Sequence, residues 1–175
     1  MVTSMRSDSR SLDMVDTATI LRRAMLALAA AGVVATTVEL ATLRHWTSTT
    51  QIIPWFVLAV LTVGVLAMVL GANPRVIRVV RVISCLAIVS GLYGVFTHVQ
   101  ANYHAAILDY HFTDRWPEMS LTSKLWAAST GEVGPSPVMA PAVLSQCAVC
   151  LALATLRHPR RATRETSMPV EPGMA

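Results

Sequence analysis

The apolar positions of this chain form four long blocks that polar segments separate. The blocks cover about residues 24–43, 52–70, 79–99 and 137–156. Each block is close to the roughly 20 apolar residues that an α-helix needs to cross the hydrocarbon core of a bilayer. The pattern therefore predicts an all-α integral membrane protein, with a four-helix transmembrane bundle over residues 21–159.

Polar segments flank the bundle at both ends, and one long polar segment lies between the third and fourth blocks. Residues 1–20 are polar and carry mixed charge, which is typical of a disordered tail. Residues 160–175 form a basic tail. Residues 100–135, between the third and fourth blocks, are rich in aromatic and acidic side chains, and residues 121–126 favour a short helix at the membrane interface. The sequence therefore predicts two tails and one long structured loop.

A signal peptide is the alternative interpretation of the first block, because an Ala-rich run follows Arg22 and Arg23. The run is longer than the roughly 7–15 residues of a signal-peptide core, and Glu39 falls late in it. The block is therefore predicted to be a span that stays in the protein. Met5 and Met14 are alternative positions for the start of translation.

The basic residues predict the orientation of the bundle. Most of the 14 Lys and Arg residues fall on one predicted side of the membrane, and only Arg44, Arg115 and Lys124 fall on the other. Because an excess of Lys and Arg marks the cytoplasmic side, both termini are predicted to be cytoplasmic and the long loop extracytoplasmic. The residues on the cytoplasmic side are Arg6, Arg10, Arg22, Arg23, Arg75, Arg78, Arg81, Arg157, Arg160, Arg161 and Arg164.

All four tryptophans fall on the predicted outer side, where indole rings anchor helices at the headgroup interface. They are Trp46, Trp55, Trp116 and Trp126.

Composition agrees with a membrane protein and excludes two other classes. The chain is 54% hydrophobic and 14% charged, against about 45–50% and about 25% in soluble domains. The net charge of +4 comes from arginines at block edges, so it indicates topology and not nucleic-acid binding. The three cysteines, Cys85, Cys147 and Cys150, all lie inside apolar blocks, which excludes the disulfide framework of a small secreted protein.

Small residues predict which helix faces pack inward, because membrane helices associate where small side chains let backbones approach. Such residues share one face of the first span and one face of the third span, and each stripe ends in an ionisable or polar group. We therefore expect these two helices to touch, with Glu39 and His98 at similar depth. The first stripe is Ala29, Gly32, Ala35 and Glu39, and the third-span stripe is Ser84, Ala87, Gly91, Gly94, His98 and Asn102.

Histidines and carboxylates collect on the predicted outer side. Imidazole and carboxylate groups suit zinc, iron or copper, which makes Glu39, His98 and His104 candidate metal ligands. If the third helix continues, His104 and His111 share a face, as do Asn102 and Asp109. Three interpretations stay open, namely loop histidines without a role, a proton-linked site, and a metal or haem site. A further alternative is a structural hydrogen bond between Glu39 and His98. The histidines are His45, His98, His104 and His111, with Glu39, Asn102, Asp109 and Asp114 nearby.

Cys147 and Cys150 form a C-x-x-C pair in the fourth block. Membrane enzymes of the vitamin K epoxide reductase type combine such a pair with four helices, but this chain has no loop cysteine pair to exchange electrons with it. Two cysteines at this spacing also serve as small packing residues, so thiol redox and packing both remain open. Gln146 beside them is predicted to hydrogen-bond a neighbouring helix.

Three short stretches carry a family resemblance. They are Val38-Glu39-Leu40 with Arg44-His45-Trp46 and Gln51-Ile52-Ile53-Pro54; Gly91-Leu92-Tyr93-Gly94 with His98 and Asn102; and Pro137-Val138-Met139-Ala140-Pro141 with Gln146 and Arg157-His158-Pro159.

On these stretches, residues 24–159 resemble a family of uncharacterised bacterial four-span integral membrane proteins. The resemblance implies a multi-pass protein of the bacterial plasma (inner) membrane, and no activity. Tyr103 and His104 stand where relatives carry acidic residues, so it does not imply metal chemistry. It implies that one set of polar residues belongs to a family pattern. This set of candidates for a polar cluster is Glu39, His45, Gln51, His98 and Asn102.

The sequence thus favours a non-enzymatic membrane protein, accessory or structural, with the lipid bilayer and other membrane proteins as partners. One alternative is a small membrane enzyme or carrier that binds a metal, haem or proton at Glu39, His98 and Asn102. The other is a thiol redox protein that acts through Cys147 and Cys150.

Overall fold

A computed structural model describes the backbone of residues 2–156 and the side chains of residues 17–156. The predicted basic tail of residues 160–175 lies outside this range. Throughout the described range the regular structure is helical, as the hydrophobic pattern predicts. The helices are α1 (Val2–Thr42), α2 (Thr49–Gly71), α3 (Pro74–Ala105), a 3-10 turn (Ala106–Leu108), α4 (Leu121–Thr130) and α5 (Met139–Ala154).

Three of these helices are long and apolar enough to cross a membrane: residues Thr17–Thr42, Thr49–Gly71 and Pro74–Leu108. The fourth apolar helix, α5, has 16 residues. At 1.5 Å per residue it is about 24 Å long, which is shorter than a bilayer core of about 30 Å. The predicted fourth block, residues 137–156, contains α5 with a few flanking residues at either end.

The start of α3 follows local capping signals in the sequence, whereas the start of α1 differs from the sequence prediction. Asn73 caps α3, because its Oδ1 accepts hydrogen bonds from the backbone N–H groups of Arg75 and Val76, each 3.0 Å long. Pro74 follows at the first helical position, where its missing N–H costs little. By contrast, α1 begins at Val2 and so includes most of the segment that the sequence indicates as a tail.

Helix α5 lies at the centre of the helix packing and contacts α1, α2 and α3. The expectation that the small-residue faces of α1 and α3 pack on each other is wrong, because both faces pack on α5. A Cβ atom on Gly32 would meet the Sγ atom of Cys147, and one on Gly91 would lie 2.8 Å from the carbonyl oxygen of Pro141. Ala35 faces outward, and Thr36 is buried instead.

Helices α3 and α5 run antiparallel over most of their length. Near the start of α3, the Arg81 guanidinium donates from Nε to the Thr155 hydroxyl and from Nη2 to the Thr155 carbonyl oxygen, both at 2.9 Å. Near the end of α3, Asn102 hydrogen-bonds the backbone of Ser136, just before α5 begins. Because the two contacts mark opposite ends, α5 extends alongside α3 from about Arg81 to His98, which lies beside the backbone of Pro137.

The buried apolar residues form two separate cores. The larger core lies among α1, α2, α3 and α5. The smaller core lies in the segment between α3 and α5 and packs against the last turns of α3. We refer to residues 106–136 as the cap, and to the neighbouring end of the helices as the cap end. The smaller core comprises Ala106, Phe112, Trp116, Ala127, Ala128 and Val133.

The cap confirms the predicted short helix, since α4 covers Leu121–Thr130. It corrects the expectation for Trp116, which is buried in the cap core and not available to a headgroup interface. Trp46 and Trp126 are half or more exposed, as interfacial anchors require.

Candidate functional site

Asn102 holds the cap to the last turns of α3. Its side chain is fully buried. Its Nδ2 donates to the carbonyl oxygens of Ala128, at 3.0 Å, and Ser136, at 2.9 Å, and its Oδ1 accepts from the N–H of Ser136 at 2.8 Å. Three of its four hydrogen-bonding positions are thus occupied by backbone groups 26 to 34 residues away. We refer to this arrangement as the Asn102 clasp.

The chain around the clasp has the turn residues that such a close approach needs. Ser120 caps the start of α4, accepting from the N–H of Ser123 at 3.2 Å. Gly131 ends α4 in the left-handed conformation, with φ of 76°. Gly134 also has positive φ, 80°, and a Cβ there would lie 2.6 Å from the Cα of Asn102. Glycine is therefore required at position 134 for both its conformation and its size.

Aromatic packing fills the cap beneath the clasp. The ring of Trp116 lies edge-on to the rings of Tyr103, at 5.3 Å between centroids, and Phe112, at 6.0 Å. The guanidinium of Arg115 lies 4.4 Å from the centroid of the Phe112 ring, a cation–π contact at the cap surface. Because Tyr103 belongs to α3, these contacts join the cap to the helix that the clasp also holds.

A second polar cluster joins α1 to α2 at the same end of the molecule. The Oε1 atom of Gln51 accepts from both the N–H and the hydroxyl of Thr47, each at 2.8 Å. The indole N–H of Trp55 donates to the carbonyl oxygen of His45 at 2.7 Å. These bonds fix the turn between the helices, because Gln51, in the first turn of α2, holds the residue that precedes the N-cap Ser48.

His98 is the candidate residue with unused hydrogen-bonding capacity. It lies one helical turn before Asn102, partly buried, beside the backbone of Pro137 and within electrostatic range of His45. Its Nδ1 atom is buried and has no hydrogen-bond partner. A buried nitrogen without a hydrogen-bond partner costs free energy of folding. The Nδ1 atom of His98 is therefore available to bind a proton or to pair with a group of a ligand.

Glu39 does not form the predicted pair with His98. Its side chain is partly buried, and within residues 17–156 its carboxylate has neither a hydrogen bond nor an ion pair. Its backbone carbonyl accepts from Leu43 N–H at 3.0 Å and from the Thr42 hydroxyl at 2.8 Å. The two residues are near the same end of the molecule, but the structure does not join them.

The three candidate metal ligands are not brought together. Across the part of the chain with described side chains, no group of three or more His, Cys, Asp or Glu residues is placed to hold a metal ion. His104 is exposed, and its ring lies edge-on to that of Tyr103, 5.7 Å away. Glu39, His98 and His104 therefore do not form a three-ligand set.

The seven-residue pairs predicted to share a helix face are not formed either. Helix α3 ends at Ala105, so Asp109 and His111 lie beyond it. Asp109 instead accepts from the N–H of His111 through its Oδ1 atom at 2.9 Å, which makes a local turn in the cap.

The C-x-x-C pair lies inside the helix packing. Cys147 and Cys150 are buried, and both are free thiols. The thiol of Cys147 fills the notch that Gly32 leaves in α1. These contacts are those of packing residues. Gln146, which directly precedes Cys147 in sequence, is exposed, and the predicted bond to a neighbouring helix is not formed among residues 17–156.

Sequence reasoning missed two residues that hold the two ends of the α3–α5 packing. It assigned Arg81 only to topology, although Arg81 also holds the last turn of α5 through Thr155. It did not identify Gly134, although the sequence Gly131-Glu132-Val133-Gly134 contains two turn-forming glycines and could have indicated a tight loop.

Comparisons of the chain with protein families, with curated proteins and with solved structures found no match.

Proposed function

We propose that this chain is a four-span protein of the bacterial plasma membrane, with both termini in the cytoplasm and the cap on the outer face. Helix α5 supports the fourth span because it extends alongside α3 between Arg81 and His98, nearly the whole apolar part of that helix. A helix that packs along α3 over this length crosses the membrane together with α3. The residues flanking α5 and a slight local thinning of the bilayer make up the remaining length.

The distribution of arginines supports the orientation. Arg75, Arg78 and Arg81 lie in the first turns of α3, at the opposite end of that helix from the cap. Because this cluster belongs on the cytoplasmic side, the cap belongs on the other.

We further propose that the protein is non-enzymatic and that its spanning helices anchor and orient the cap, as in an accessory or structural membrane protein. The observation that carries this is the Asn102 clasp. Asn102, one of the three residues that the sequence offered for binding a ligand, uses its hydrogen bonds on the protein's own backbone. Gln51 does the same in the turn between α1 and α2. Polar groups used in this way specify one packing of helices and cap.

A second candidate function rests on His98. With Nδ1 buried and unpaired, this imidazole is suited to bind a proton, a metal or a haem at the cap end, as in a small membrane enzyme or carrier. Asn102 contributes little to such a site, since its side chain is already engaged.

Labelling of single cysteines tests the topology. The background is Cys85→Ser, because Cys85 is exposed while the other two cysteines are buried. Ser129→Cys in the cap should react with a membrane-impermeant maleimide in intact cells. Gly71→Cys and Leu156→Cys, both at exposed positions of the opposite end, should react only after permeabilisation. Reaction of Leu156→Cys in intact cells would reduce the spans to three.

The absorbance spectrum and metal content of the purified protein separate the two functions. The non-enzymatic proposal expects neither a haem band nor a stoichiometric metal in the wild type. His98→Gln is compared with His104→Gln, because His104 is exposed and lies on the same helix. A metal or haem that is lost in His98→Gln and kept in His104→Gln would make the ligand-binding function the correct one.

A further inference from the structure

Gln146 occupies a position where a membrane protein rarely leaves a polar side chain. It is exposed on the surface of the chain, at the centre of α5, with seven residues before it and eight after it in the helix. At 1.5 Å per residue it is about 10–12 Å from either helix end. In the four-span arrangement proposed above, on which this inference rests, Gln146 faces lipid near the middle of the bilayer.

The amide of Gln146 is not satisfied by the part of the chain whose side chains the structure describes. Its side chain has no hydrogen-bond partner among residues 17–156. Two exposed or half-buried hydroxyls of the long helices instead bond their own helix: that of Thr37 donates to the carbonyl of Val33 at 2.7 Å, and that of Thr62 to the carbonyl of Leu58 at 2.8 Å. An amide carries two donor hydrogens as well as an acceptor, and no water is present in the hydrocarbon to pair them. Gln146 also lies too deep in the bilayer for its side chain to reach the headgroup interface.

The surface around Gln146 has the pattern of a helix–helix contact. Along α5 and just beyond its end, the exposed residues together with the half-buried Ala142 recur at alternating intervals of three and four, which is the spacing of the contact positions in two supercoiled helices. The small residue Ala142 lies one turn from Gln146 and lets another backbone approach. The other members are apolar and 41–71% exposed. The stripe consists of Met139, Ala142, Gln146, Val149, Leu153 and Leu156.

We infer that this stripe is the interface of a homodimer, in which α5 packs against α5 of a second copy. Two copies with the same topology are related by a two-fold axis along the membrane normal, so identical residues meet at equal depth. The two Gln146 amides then complement each other, because each Nε2 donates to the Oε1 of the other. A single polar residue in an apolar seam also fixes the register of the two helices.

Disulfide cross-linking in native membranes tests the interface, again in the Cys85→Ser background. Ala142→Cys lies on the stripe, and Ala148→Cys, a chemically identical change, lies on the buried face of the same helix. With an oxidant, Ala142→Cys and Leu153→Cys should give a covalent dimer of twice the monomer mass, while Ala148→Cys and the background should not. No dimer from either stripe position would overturn the inference, as would equal dimer from Ala148→Cys. A conjugate with a different protein in place of the dimer would overturn it too.

Substitution of Gln146 tests the role of the amide. Gln146→Leu should raise the dimer dissociation constant about 3- to 30-fold in detergent, which corresponds to the roughly 0.6–2 kcal/mol of interhelical hydrogen bonds in membranes. Gln146→Asn, which keeps donor and acceptor, should dimerise more tightly than the leucine variant. Equal dissociation constants for wild type, leucine and asparagine variants would show that the amide has no part in the contact.

The labelling of Leu156→Cys separates this inference from the topology. Reaction only after permeabilisation, together with no cross-linking, would overturn the dimer and leave the four-span proposal intact. Reaction in intact cells would place α5 outside a spanning position and would overturn both.

Discussion

Replacing Asn102 by alanine should open the cap while leaving the helix packing in place. The substitution removes three hydrogen bonds and leaves two carbonyl groups and one N–H without their partner. A net value of about 1 kcal/mol per hydrogen bond gives about 3 kcal/mol for the clasp. Water that enters the vacated space lowers this value, and imperfect solvation of the fully buried position raises it, so the expected range is about 2–4 kcal/mol.

Hydrogen exchange measured by mass spectrometry reports this loss directly. Amides of residues 127–136 exchange when the cap opens. Since 1.4 kcal/mol is a factor of ten in an equilibrium constant, a loss of about 3 kcal/mol should speed their exchange roughly 100-fold. Amides in the middle of α2 belong to the larger core and should be unaffected.

A matched variant at the other end of α3 controls for the chemistry of the change. Asn73→Ala also removes an asparagine that accepts from backbone N–H groups, in this position from Arg75 and Val76. It should cost about 1 kcal/mol as a lost N-cap, with no effect on exchange in the cap. If cap exchange in Asn102→Ala equals that in Asn73→Ala, the clasp does not hold the cap and the non-enzymatic proposal loses its main support.

Three further changes test the packing, each read from thermal unfolding of the purified protein. Gly134→Ala should destabilise the cap by about 2–4 kcal/mol, because it combines a positive φ with a steric clash. Gly131→Ala, which has a positive φ but open space around it, should cost about 1 kcal/mol. Equal losses of stability in the two variants would refute the clash. Gly91→Ala should cost about 1–3 kcal/mol by pushing α3 away from α5, while Gly71→Ala, with nothing within 4 Å, should be close to neutral. Arg81→Met should cost about 1–2 kcal/mol, since it removes two hydrogen bonds to the last turn of α5; an unchanged melting temperature would show that this contact contributes nothing.

The sequence by itself determined the helices. A run of about 20 apolar residues is a local property, so each of the first three blocks coincides with part of a long helix, although α1 and α3 extend beyond their blocks. Local signals such as Asn73-Pro74 set the start of α3. The short helix α4 was likewise visible in the sequence from residue 121 onward.

Only the tertiary structure decided which faces meet. In a membrane helix both lipid and protein accept apolar side chains, so a hydrophobic pattern does not distinguish the packed face from the lipid-facing one. The small stripes of α1 and α3 were therefore identified, but their shared partner, α5, was not. The same limit applies to Gln146: the sequence shows that a polar side chain in an apolar helix needs a partner, but not that residues 17–156 provide none.

The Asn102 clasp shows the physical reason most clearly. The sequence identifies a polar side chain near the end of a span, which must be hydrogen-bonded if it is buried. Whether its partner is a ligand, another side chain or the backbone depends on which segments the fold brings to it. Here the segments are the end of α4 and the approach to α5. They come from positions far along the chain that no local pattern connects to Asn102, and the packing of the cap alone places them there.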